Sequence, residues 1–172
     1  MAAFAVYSAL PDGHGCTTPP MNAHLLLFAV FLFLAISNAG SMLTLQIQHY
    51  GIYSLVGQRG FIDYIRANNR AAKIPVILPA MLLLLSSLLL LFAAPPFMPH
   101  SAAFIAFALN LVQLGSTFLW QRRLQGEMAE TGYDEAKVRL LVSTNWIRTI
   151  ALLMQALLAT AIVVLALARQ SG

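Results

Sequence analysis

Residues 74–94 read Ile-Pro-Val-Ile-Leu-Pro-Ala-Met-Leu-Leu-Leu-Leu-Ser-Ser-Leu-Leu-Leu-Leu-Phe-Ala-Ala, a run without a single formal charge. A helix rises about 1.5 Å per residue, so such a run is roughly 30 Å long, the thickness of a bilayer's hydrocarbon core. Only Ser86 and Ser87 interrupt its apolar surface. A helix that is hydrophobic all round belongs in a membrane or deep inside a large protein.

The rest of the chain settles which. It has 172 residues, 59% of them hydrophobic and 9% charged, with a mean hydropathy of +0.76. Soluble domains carry about 25% charged residues, so this chain cannot cover a water-facing surface. Three further segments match the first: Leu25 to Leu45, Ala102 to Trp120 and Ile147 to Ala168. The predicted fold is an all-α membrane protein, a four-transmembrane-helix bundle over residues 23–169. Residues 1–22 form an external N-terminal tail, and Met21, directly before the first span, offers a second start. One cysteine, Cys16, excludes an intrachain disulfide.

Pro95, Pro96 and Pro99 set the turn between the second and third spans, because no continuous helix survives three prolines. Pro75 falls in the first turn of the second span, and Pro79 is placed to bend it. Between the first two spans, Phe61, Ile62 and Ile65 alternate with Arg and Asp as in a short amphipathic helix lying at the interface. The stretch from Arg122 to Arg139 reads as a solvated loop whose Glu127, Glu130, Asp134 and Glu135 balance its cations.

Nine of the ten Lys and Arg residues fall in or beside the first and third connections, leaving only Arg169 at the other end. The positive-inside rule then puts both connections in the cytoplasm and both termini outside.

Polar residues in a membrane core face the bundle interior, so their spacing indicates where a site lies. In the first span Asn38, Ser41, Thr44 or Leu45, and Gln48 share one helix face, and Gly40 beside them permits close packing. Asn110, Gln113, Thr117 and Gln121 repeat that spacing in the third. Asn145, Arg148 and Thr149 share a face where the fourth span begins. The predicted topology brings Gln48, His49, Thr117, Gln121, Asn145 and Arg148 to the cytoplasmic end, around a polar pocket. No span offers Arg148 a carboxylate; its partners are carbonyls, amides, a loop carboxylate such as Glu127, or an anionic ligand. His49 is the one histidine beside this pocket, and an imidazole can carry a proton near neutrality. Asn145 and Arg148 are placed to hold developing negative charge.

Plainer readings stand beside these. Asn, Gln and Thr at helix spacing serve as interhelical glue. Arg148 can snorkel to lipid phosphates, and Trp120 and Trp146 suit interface anchors. A lone histidine makes no metal site, and no nucleotide-binding, nucleic-acid-binding or haem pattern occurs, so no cofactor is expected.

Thr144-Asn145-Trp146-Ile147-Arg148-Thr149 at the start of the last span resembles the Asn-x-x-Arg-Thr that opens the final helix of many small bacterial four-helix membrane proteins. Trp120-Gln121, and Asn68-Asn69-Arg70 followed by Pro75, are similar in placement. The better-known relatives of that group are the anthrone oxygenase-like proteins. The resemblance implies a bacterial inner membrane and a cofactor-free oxygenation of a polyphenolic substrate; it carries over only Asn145, Arg148 and Thr149, as a shared motif. Two functions are therefore expected: a pocket for an apolar, phenolic or anionic small molecule, or a non-catalytic scaffold subunit of a larger membrane complex. Expected partners are membrane lipids, such a small molecule, and a membrane protein or a second copy of the chain.

Overall fold

The computed structural model describes residues 22–171, so all of the expected tail except Asn22 lies outside the described residues. Six α-helices follow in order: α1 (Ala23–Thr44), α2 (Phe61–Ala71), α3 (Leu78–Ala93), α4 (His100–Ser116), α5 (Arg122–Thr131) and α6 (Glu135–Gln170). Three π turns, Leu45–His49, Lys73–Ile77 and Thr117–Gln121, extend α1, α3 and α4 at one end of the bundle. The resulting rods, Ala23–Tyr53, Lys73–Ala93, His100–Thr131 and Glu135–Gln170, are each long and apolar enough to cross a bilayer. The chain is an all-α, multi-pass membrane protein.

The spans form a ring in the order α1, α3, α4, α6, each packing on its two neighbours. The His24 ring nitrogen Nδ1 donates to the Ala93 carbonyl at 3.0 Å, tying the start of α1 to the end of α3 and fixing their antiparallel course. Asn22 caps α1 by accepting from the His24 amide at 3.1 Å. The proline turn behaves as its sequence dictates: the Met98 amide donates to Pro95, and Pro99 holds the extended conformation that admits α4.

Lipid tails are as apolar as leucine, so helices in a membrane associate through close packing. Ala35, Ala39, Ala103, Ala106, Ala151 and Ala159 supply it, all buried between spans. Gly40, expected to share this role, faces open space instead, turned about 100° around α1 from the buried Ala39. The outer surface is hydrocarbon: Phe33 is 69% exposed and Phe92 82%, values that only a lipid surround makes favourable.

The third connection is not a loop. The third rod runs to Thr131, α6 begins at Glu135, and only three residues turn between them. Arg, Gln, Glu, Ala and Met favour helix, and the i,i+4 pairs Arg123–Glu127 and Glu135–Arg139 add to it. Gly132 makes the reversal at φ +88°, a backbone shape costly for other residues. Asp134 then caps α6, accepting from the Ala136 and Lys137 amides at 2.9 and 3.1 Å.

The amphipathic segment is present as α2, beginning at Phe61. Phe61 and Ile65 are fully buried, while Asp63, Arg66 and Arg70 are exposed. The buried face packs on α5; Arg66 Nε donates to the Ala129 carbonyl at 3.1 Å, and the Phe61 and Tyr133 rings meet edge-on at 5.2 Å. α2 is thus latched across the basic end of the bundle.

Candidate functional site

The three π turns lie around one cavity. It has a volume of about 370 Å³, and each turn contributes to its wall: Leu45 and His49 from the first, Lys73 and Val76 from the second, Thr117 and Gln121 from the third. A π turn carries one residue more than an α turn and so rotates the helix beyond it; such bulges occur often at functional sites. The second has a visible cause. Pro79 has no amide hydrogen to offer the Pro75 carbonyl four residues back, and its ring crowds that carbonyl, so the ladder slips here. Pro79, where a bend was expected, stands at the start of α3 directly after this π turn.

The burial pattern corrects the predicted stripe on the first span. Gln46 follows Asn38 and Met42 at steps of four on the buried face, whereas Gln48 falls off that face, is exposed and takes no part in the cavity. Ser41 and Thr44 are exposed as well, whereas Asn38 is buried and donates to the Leu34 carbonyl at 2.8 Å. Gln46 holds the place foreseen for Gln48. Its Oε1 accepts from Asn145 Nδ2 at 2.6 Å, and its Nε2 donates to the Val142 carbonyl at 3.3 Å.

This amide pair positions the charge. Asn145 Oδ1 accepts from Arg148 Nη1 at 3.2 Å, and Thr149 donates back to the Asn145 carbonyl at 3.1 Å. Arg148 is 6% exposed and lines the cavity. It lies nine residues past Arg139 on α6, roughly 13 Å deeper at about 1.5 Å per residue. The side chain turns inward to Asn145 and does not snorkel. Among the described residues no carboxylate pairs with it, and its Nε has no partner. Glu127, the loop carboxylate considered for it, pairs with Arg123 at 2.9 Å and Lys137 at 3.1 Å.

Gln121 fixes the opposite wall. Its Nε2 donates to the Leu141 carbonyl at 3.1 Å and Thr144 at 3.2 Å, while its Oε1 accepts from the Tyr50 hydroxyl at 3.3 Å. His49 is half-buried on the cavity wall, among the rings of Tyr50, Tyr53 and Tyr64. Tyr64 belongs to α2, and partial burial pushes its phenol upward, so it remains a donor at neutral pH. The Tyr64 hydroxyl lies 3.4 Å from His49 Nδ1, and Nε2 has no hydrogen-bond partner among the described residues.

Of the predicted site residues, His49, Thr117, Gln121 and Arg148 line one cavity, and Asn145 and Thr149 stand behind Arg148. Asn110 and Gln113 are buried deeper in the bundle, outside the cavity lining; Asn110 donates to Ser87 at 2.8 Å. The sequence reading missed the cavity roles of Lys73, Arg122 and Gln125, and of Asn68 and Asn69 at the end of α2. It also missed Gln155, a fully buried amide in α6 with neither side-chain atom partnered. Gln125 was open to discovery: it follows Gln121 by four residues once the third helix is continued. Trp120 and Trp146 are substantially exposed, as interface anchors require.

No protein-family model, curated protein or solved structure matches this chain.

Proposed function

We propose that this protein captures a small acidic amphiphile in the cavity at its basic end, from the cytoplasmic side of a bacterial inner membrane. One observation carries the reading: a buried guanidinium lines the cavity with no carboxylate beside it among the described residues. An uncompensated cation in low dielectric is costly, and Arg cannot escape by losing its proton. The missing counter-charge is supplied by the ligand. Lys73 and Arg122 line the cavity and are exposed, and among the described residues no Asp or Glu lines the wall. Leu45, Val76 and Ile77 give the apolar part of a ligand a place to lie.

His49 presents its unpartnered Nε2 beside this charge. It serves as the proton carrier, giving or taking a proton from a phenol or acid held on Arg148. The scaffold alternative fits the deeper zone, where Asn110 and Ser87 bond side chain to side chain. It does not account for an open cavity lined by a guanidinium whose Nε has no partner among the described residues.

The test is purification in a mild detergent, followed by extraction and mass spectrometry of whatever copurifies. An acidic amphiphile is expected with the wild type and with Arg169→Gln, and not with Arg148→Gln. Equal yields of it from all three proteins would remove the pocket from consideration.

A further inference from the structure

The charge count of the cavity goes further than "acidic". Resting on the reading above, we infer that the group held there is a phosphate-ester dianion, a phosphomonoester headgroup or its free equivalent, and not a singly charged carboxylate or phenolate. Three cationic residues line one cavity of about 370 Å³: Arg148 is buried, while Lys73 and Arg122 are exposed, the Arg122 guanidinium 5.4 Å from the Phe118 ring centre. Among the described residues no carboxylate lines it, and Glu127 is taken by Arg123 and Lys137. A monoanion cancels one of these charges and leaves two uncompensated. A phosphomonoester carries close to two charges at neutral pH and three acceptor oxygens.

The donors are arranged to match. Arg148 offers Nε, which has no partner, while Nη1 is held by Asn145, so the plane of the fork is fixed before any ligand arrives. Lys73, Arg122 and Arg148 belong to three different rods and line the same cavity. Asn68 and Gln125 line it from α2 and α5; each amide gives one hydrogen to a tyrosine, Tyr53 at 3.2 Å and Tyr50 at 3.5 Å, and has a second to offer. A tetrahedral, multiply accepting group uses donors from several directions; a planar carboxylate uses two from one.

The experiment is equilibrium binding to the full-length protein in a neutral detergent. Dioctanoyl phosphatidate is compared with inorganic phosphate, decanoate and dioctanoylglycerol. Phosphatidate is expected to bind saturably and decanoate about tenfold more weakly, as the loss of one charge-assisted hydrogen bond implies, with no binding of dioctanoylglycerol. Arg148→Gln, Lys73→Gln and Arg122→Gln should each weaken phosphatidate by about tenfold or more, and Arg59→Gln should not. Lys73 and Arg122 are exposed, so their variants keep the test valid even where Arg148→Gln fails to fold. Inorganic phosphate binding as tightly as phosphatidate would support the phosphate assignment and make the ligand soluble. Decanoate binding as tightly as phosphatidate, with the same dependence on Arg148, would overturn the phosphate assignment and leave the acidic-amphiphile reading intact. Binding that ignores all three substitutions would overturn both.

Discussion

Gln46 and Gln48 are chemically identical and two positions apart, and the fold treats them oppositely. Gln46 is 4% exposed and bonds to both Asn145 and Val142, while Gln48 faces outward. Gln46→Leu strands the Asn145 amide in a low-dielectric interior and should cost about 1–3 kcal/mol. Gln48→Leu should stay within about 0.5 kcal/mol of wild type. Thermal unfolding in detergent separates the two, and a larger loss at Gln48 would mean that Gln48, not Gln46, faces the bundle interior. Arg148 invites the same comparison. Its guanidinium binds Asn145 through Nη1, a contact an ammonium on a flexible stem does not reproduce with fixed orientation. Arg148→Lys should lower stability by about 1–2 kcal/mol, while Arg169→Lys at the far end changes nothing measurable. Equal effects would return Arg148 to a snorkelling role. At this scale the sequence revealed which residue types were out of place in a membrane, Arg148 and Asn145 first. The choice of glutamine was legible too, since Gln46 continues Asn38 and Met42 at steps of four, while Gln48 falls off that face.

At the level of elements, the cavity exists because three rods slip register at the same end of the bundle. Pro79 explains one of these turns, and the sequence showed that proline plainly; nothing local marks the turns at Leu45–His49 and Thr117–Gln121. They follow from tertiary packing, which single-chain periodicity cannot see. α2 completes the wall, held to α5 by Phe61, Ile65 and the Arg66–Ala129 bond. Truncating a buried Ile to Ala costs about 2–5 kcal/mol when it leaves a cavity, more than enough to unlatch an eleven-residue helix. Ile65→Ala should therefore speed tryptic cleavage at Arg70 and Lys73 without shifting the main unfolding transition. Unchanged cleavage would mean that α2 is held chiefly by other contacts. The turn between α5 and α6 makes a parallel case. Asp134→Ala removes two capping bonds and should lose about 1 kcal/mol.

For the molecule as a whole, the spans were the most legible feature, since about 20 apolar residues in a row have few other uses. Their ends were less so. The third and fourth rods continue well past the hydrocarbon run, because Arg, Glu and Lys are good helix formers once they stand in water. The basic end and the cavity coincide, and that coincidence joins topology to function. A reporter active only in the cytoplasm should work when inserted at Gly132 and stay silent when fused after Gly172. The reverse pattern would move the cavity to the outer face and change which ligands can reach it. The most direct test of the proposed site is an experimental map of the protein in native lipid, read at Arg148. The expected result is non-protein density within hydrogen-bond reach of Nε, bracketed by Lys73 and Arg122. A cavity filled only with water, or Nε capped by a protein carboxylate, would contradict it.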